Sequence, residues 1–179
     1  MWSINQGCVS ARGLILTGSL ALASCVNVGL YNPDPQSAVL KKPGYTIPLN
    51  TTITNVQPSK KEHYLEFGGI IVNYHDFTQA VVKALEEHKR SDSSLAGEKE
   101  LRVKVTFVES TPDAFTYRGD IIAVVAFGDV GKEEIRSSRA SYGSGFNATT
   151  APTRPLDSAF KDLVANILKN EKIRAYLDN

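Results

Sequence analysis

From Gly13 to Leu30 the chain carries no charged residue, and before that run the only charged side chain is Arg12. A stretch of that length must be cut away, cross a bilayer or be buried, and each fate leaves a different remainder to fold. A transmembrane helix needs about 20 predominantly apolar residues. This run falls short and is interrupted by Thr17, Ser19, Ser24 and Asn27. A buried core helix would show a polar face, which is missing, and Gly13, Gly18 and Gly29 disfavour a helix interior. The layout that fits is an export signal: a positive n-region ending at Arg12, an apolar h-region of roughly 7–15 residues, then a zone of small residues for cleavage. Residues 1–24 are therefore expected to be removed.

Leu22-Ala23-Ser24-Cys25 closes the run. This tetrapeptide resembles the bacterial lipobox, in which an aliphatic residue and two small ones precede a cysteine at the cleavage point. The resemblance implies that the Cys25 thiol is alkylated with diacylglycerol, that the peptide bond before it is cut, and that the new amino group is acylated. Cys25 would then be the site of lipid attachment and the membrane anchor. Small neighbours suit that chemistry because a peptidase must close around the backbone. The competing reading of Cys25 is a free cysteine buried in a helix. Cys8 lies in the segment to be discarded, so the mature chain would hold one cysteine and no intramolecular disulfide. Its stability must come from its core.

Removing residues 1–24 takes one base and no acid from the 20 Lys+Arg and 19 Asp+Glu, leaving a formally neutral chain. Adjoining basic residues occur only as the pairs Lys41-Lys42, Lys60-Lys61 and Lys89-Arg90. Neither nucleic acid nor anionic headgroups are expected as partners on that charge pattern.

Residues 25–44 read as the lipidated cysteine and a flexible tether, since Pro33, Pro35 and Pro43 break any period. Residues 45–179 read as one domain. Ile47, Leu49, Thr51 and Ile53 alternate as a half-buried strand, placed at an edge by Pro48. Tyr64 to Val72 is a second strand, with Gly68-Gly69 marking a bulge. Asp76 is an N-cap candidate for a helix through Phe77, Ala80, Val81, Ala84 and Leu85, ending near Lys89. After a polar loop over Ser91 to Glu98, Leu101, Val103, Val105 and Phe107 alternate. Arg118 to Phe127 reads as a central strand covered on both faces, and Lys132 to Phe146 as a more polar return. A second amphipathic helix begins near Pro155 or Leu156, and a last helical turn, Lys172 to Leu177, follows Asn170. The expected order is β-β-α-β-β-β-α: an α+β two-layer sandwich, mostly antiparallel, with two main helices on one face. Val103, Val105, Ile122, Val124, Phe160 and Val164 are the expected core.

Chemistry-bearing patterns are few. His63, His75 and His88 do not stand at metal-ligand spacing, and His88 reads as a helix-end residue facing the dipole. Gly143-Ser144-Gly145 lacks the G-x-S-x-G frame of a nucleophile elbow. Gly128-x-x-Gly131 lacks the third glycine and the following helix of a phosphate loop. Asn50-Thr51-Thr52 and Asn147-Ala148-Thr149 match a glycosylation sequon that a bacterial exported protein would not use in that way. Asp129, Glu133 and Glu134 fail the ligand count and spacing of a calcium loop. The expectation is a protein that is not an enzyme, with no catalytic residue, no metal and no cofactor.

Leu101-x-Val103-x-Val105, Tyr117-x-x-x-Ile121 and Arg139-Ala140-Ser141-Tyr142 with Phe146 are followed by a tail carrying Ala159, Leu163, Ile167, Ile173, Leu177 and Asn179. Over Leu101 to Asn179 this resembles the C-terminal half of the YajG-type family of proteobacterial lipoproteins. The resemblance implies an outer-membrane lipoprotein facing the periplasm, without known catalysis. Val26 after the cysteine resembles the residue choice of lipoproteins sorted to the outer membrane. Two roles stay open: an accessory or structural component that binds a protein partner in the envelope, or a carrier of a lipid or small ligand. The carrier would use a groove between sheet and helices lined by Phe107, Phe127 and Phe160, which core packing explains equally well.

Overall fold

The structure, a computed structural model, describes residues 29–39, 44–58, 62–65, 70–90, 98–112, 116–142 and 153–179. The elements run β1 (Gly29–Tyr31), a 3-10 turn (Pro35–Ala38), β2 (Ile47–Pro48), β3 (Thr51–Asn55), β4 (Glu62–Leu65), β5 (Ile70–Asn73) and α1 (Tyr74–Glu86). They continue with β6 (Lys89–Arg90), β7 (Lys99–Pro112), β8 (Thr116–Phe127), β9 (Gly131–Tyr142), α2 (Thr153–Lys169) and α3 (Glu171–Asp178).

The frame is a four-stranded sheet in the order β3-β7-β8-β9. The long pairs β7–β8 and β8–β9 are antiparallel, and the short β3 joins β7 in parallel. One face is made by alternation: Leu101, Val103 and Val105 of β7, Ile121, Ala123, Val125 and Phe127 of β8, and Ile135 of β9 are all buried. Against it lie the apolar stripes of two helices, α1 over β3 and β7, and α2 over β8 and β9. Phe77 of α1 and Phe160 of α2 meet edge to face with centroids 5.8 Å apart, which joins the helices in one layer. This is the expected α+β two-layer sandwich with both main helices on one face.

Glycine is required at two points. A Cβ at Gly119 would stand 2.7 Å from the backbone N of Leu156, so the start of α2 seats on β8 only because that position is bare. Gly128, in the β8–β9 turn, has φ of 51°, the left-handed region that costs other residues about 1–2 kcal/mol.

β7 outruns its neighbour. The Val56 N–H bonds the Val103 carbonyl at the end of β3, and the outer edge of β7 beyond that level needs other partners. Helix α1 supplies them from one face: Thr78 Oγ1 accepts from the Val105 N–H at 3.1 Å, and the Tyr74 hydroxyl accepts from the Val108 N–H at 3.3 Å. Between these points the β7–β8 register shifts. The extra residue of this bulge carries Phe107 out of the helix-facing surface, and Val108 and Ser110 resume burial.

Several sequence expectations are corrected. The supposed tether is part of the fold from Gly29 to Val39: β1 pairs in parallel with β5, Tyr31 and Ala38 are buried, and the 3-10 turn packs on α1 and α2. The folded domain therefore begins before Tyr45. The first expected strand is broken at Leu49 and Asn50, because β2 pairs with β6 while β3 pairs with β7, and Leu49 is 60% exposed. Tyr64 to Val72 is not one bulged strand. β4 and β5 pair as antiparallel strands, and Gly68-Gly69 lie outside the described residues. There are three hydrogen-bonded sheets among the described residues, not one.

Asn73, not Asp76, caps α1: its side chain accepts from the His75 and Asp76 N–H groups, and Asp76 adds charge in the first turn. α2 begins at Thr153, with Pro155 in the first turn, where an N–H has no intrahelical partner to lose. Asn170 caps α3, in the place expected for the last helical turn. β8 is central, but among the described residues helices cover one of its faces only. Ile122 and Val124 therefore sit half-buried on the other face and are not core.

Candidate functional site

The four-stranded sheet keeps one face without a helix among the described residues. Cross-strand register sets its rows: Arg102, Ala126 and Lys132; Lys104, Val124 and Glu134; Phe107, Ile122 and Arg136; Glu109, Asp120 and Ser138. Phe107, Ile122, Val124 and Ala126 form an apolar strip along β8 and the bulge, and Phe107 is 39% exposed. Charged side chains flank the strip. Arg136 pairs with Glu134 at 2.7 Å and Arg118 with Asp120 at 2.9 Å. An apolar strip with a polar margin is the composition of a protein-contact surface. The expectation set Phe107 between sheet and helices, because the bulge that turns it outward depends on α1 and leaves no local mark. It set Ile122 and Val124 in the core because β8 was expected to be covered on both faces.

β9, at the edge of this sheet, is guarded from α2 and α3. Glu133 bonds Lys172 at 2.7 Å, Arg139 pairs with Asp162, and the Asn166 amide donates to the Arg136 carbonyl. Charges and side-chain caps along an exposed edge discourage strand addition. The face, unlike this edge, is left as the candidate contact surface.

The expected chemical residues are scattered. His63 Nε2 lies 3.2 Å from Glu109, joining β4 to β7. His75 Nδ1 donates to the Gln57 carbonyl at 3.1 Å. His88 is buried and its Nδ1 donates to the Ala84 carbonyl at 2.7 Å, in keeping with its place at the end of α1. Asp129, Glu133 and Glu134 turn to three different cations, Arg102, Lys172 and Arg136. Among the described residues no three His, Cys, Asp or Glu side chains are grouped to hold a metal ion. No helix among them is long and apolar enough to cross a membrane.

The three phenylalanines of the supposed groove do not share one. Phe127 packs on Tyr176, Phe160 on Phe77, and Phe107 lies on the opposite face of the sheet. Leu22, Ala23, Ser24 and Cys25, the Gly143-Ser144-Gly145 bend and Asn147-Ala148-Thr149 lie outside the described residues.

Sequence reading also missed the contact that fixes the N-terminal segment. The Tyr31 hydroxyl donates to Asp157 Oδ1 at 2.7 Å. Burial first, and then the charge and hydrogen bond of Asp157, hold the Tyr31 phenol well above the ordinary tyrosine range. No protein-family model and no curated protein matches this sequence.

Proposed function

We propose that this chain is a non-enzymatic bacterial envelope lipoprotein, similar to the YajG-type family, anchored by a lipidated Cys25 at the outer membrane and facing the periplasm. Its role is that of an accessory or structural component that binds a protein partner. The observation that carries the anchor is the charge-free run from Gly13 closing on Leu22-Ala23-Ser24-Cys25. Gly29, where β1 starts, follows Cys25 by only four positions. A chain spans at most about 3.3–3.6 Å per residue, so an anchor there would hold the sheet within a small domain's diameter of the bilayer. The open sheet face supports protein binding, since its apolar strip stands beside charges already paired within the chain.

The test is metabolic labelling with a radioactive fatty acid in a bacterial host. The wild-type chain should take the label and fractionate with outer membranes. Cys25→Ala should take none and accumulate as an unprocessed or soluble form. Label retained by the Ala variant sinks the proposal.

A further inference from the structure

The open face is complementary to itself. Consider a two-fold axis lying across the strands, level with the gap between Ile122 and Val124. Rotation about it brings each row of the face onto another: the Val124 row onto the Ile122 row, and the Ala126 row onto the Asp120 row. Val124 then meets Ile122 at the centre. On β7, Arg102 meets Glu109 and Lys104 meets the ring of Phe107. On β9, Glu134 meets Arg136 and Lys132 meets Ser138. Asp120 meets Ala126. No two like charges of these rows oppose each other.

We propose that this face is a self-association surface on which a second copy of the chain seats about that axis. The inference rests on the protein-binding reading of the face and names its occupant. Two sheets packed face to face stand about 10 Å apart and turned by about 30°, which keeps the central rows opposed. Three strands about 4.8 Å apart and about 12 residues long present on the order of 500 Å² before side-chain relief. Stable interfaces bury about 800 Å² per partner, so this is a weak dimer in solution. Confinement to a membrane would raise its effective concentration. Other pairings are poorer. An axis running along the strands would set Arg102 against Lys132, Asp120 against Asp120 and Arg118 against Arg118.

Charge reversal with mixing tests the axis. Donor- and acceptor-labelled intact chains, in excess detergent and through the micromolar range, should show energy transfer for the wild type. Glu134→Arg alone sets a new guanidinium against Arg136 of the other copy. Arg136→Glu alone sets a new carboxylate against Glu134 of the other copy. Each should weaken association at least tenfold. Mixed together, the two variants bring a copy with two guanidinium groups at these positions against a copy with two carboxylates. Both contacts then join opposite charges, and the mixture should recover the wild-type signal. Both sites are exposed, so thermal melts should stay near wild type. A wild type without energy transfer, an undiminished single variant, or a mixture that fails to recover would each overturn the inference. None of these outcomes bears on Cys25 labelling, which decides the anchor separately.

Discussion

Tyr31 and Asp157 stand 126 positions apart and share a hydrogen bond of 2.7 Å that clasps the N-terminal segment to the first turns of α2. Tyr31→Phe should lower stability by about 1.5–3 kcal/mol, the range for a hydrogen bond to a charged acceptor. It should also change the alkaline limb. The folded pKa lies above the ordinary value of about 10, so the unfolded chain gives up its proton first. The contribution of Tyr31 is therefore whole below about pH 10 and drains away as pH rises, at up to about 1.4 kcal/mol per pH unit. The burial-raised Tyr74 adds slope of the same sign. Urea melts on both proteins between about pH 8 and pH 11 should show a shallower decline for the Phe variant. Parallel declines would count against the clasp.

A chain starting at Tyr45 should be much less stable than one starting at Gly29. The shorter chain loses the buried Tyr31 ring, the fully buried Ala38 and the β1–β5 ladder. A loss of roughly 3–5 kcal/mol is expected, comparable to removing a large core aromatic. Midpoints of chemical unfolding for the two chains decide the domain boundary. Equal midpoints would restore residues 29–39 to the status of a tether.

Phe160→Ala and Phe107→Ala should differ sharply although both remove a phenyl ring. Phe160 is fully buried at the junction of α1, α2 and the sheet, and its loss should cost roughly 3–5 kcal/mol. Phe107 lies beyond the bulge on the open face, and its loss should cost less than about 1 kcal/mol in the monomer. Matching costs would mean that β7 has no bulge and that Phe107 faces the helices.

Gly119→Ala adds one carbon where β8 meets the start of α2. With backbone atoms of Pro155 and Leu156 at 2.7 Å, no flexible side chain can give way. Overpacking of this kind costs about 1–3 kcal/mol. A thermal midpoint equal to wild type would show that α2 does not seat there.

What the sequence made legible was what neighbouring residues decide among themselves. Leu101, Val103 and Val105 announce β7, and Leu156, Phe160, Leu163, Val164 and Ile167 announce α2, because period and burial coincide over a dozen positions. Leu49 and Phe107 were misplaced by the same reasoning. Each fits its local alternation, and each is turned out by a distant event: the separate pairing of β2 with β6, and the hold of Thr78 on the Val105 N–H. Tyr31 was missed for a related reason. Three prolines around it read as a tether, while its partners β5 and Asp157 are far along the chain. The open face was legible as alternating residues on β8, but not as a surface. Ile122 and Val124 look like core until the helices of the described residues are seen to lie on one side of the sheet.

The placement of β1 also orders events in time. A chain made or exported from its N-terminus presents Gly29–Tyr31 first, yet Asp157 arrives only with the last helices. Contacts of such sequence separation form slowly, because loop closure must precede the gain. Phe77 thus waits without the Phe160 ring against it until α2 has been made. The first of these strands to emerge gains its clasp only after α2, and α1 is the element a holding chaperone would find exposed in the interval.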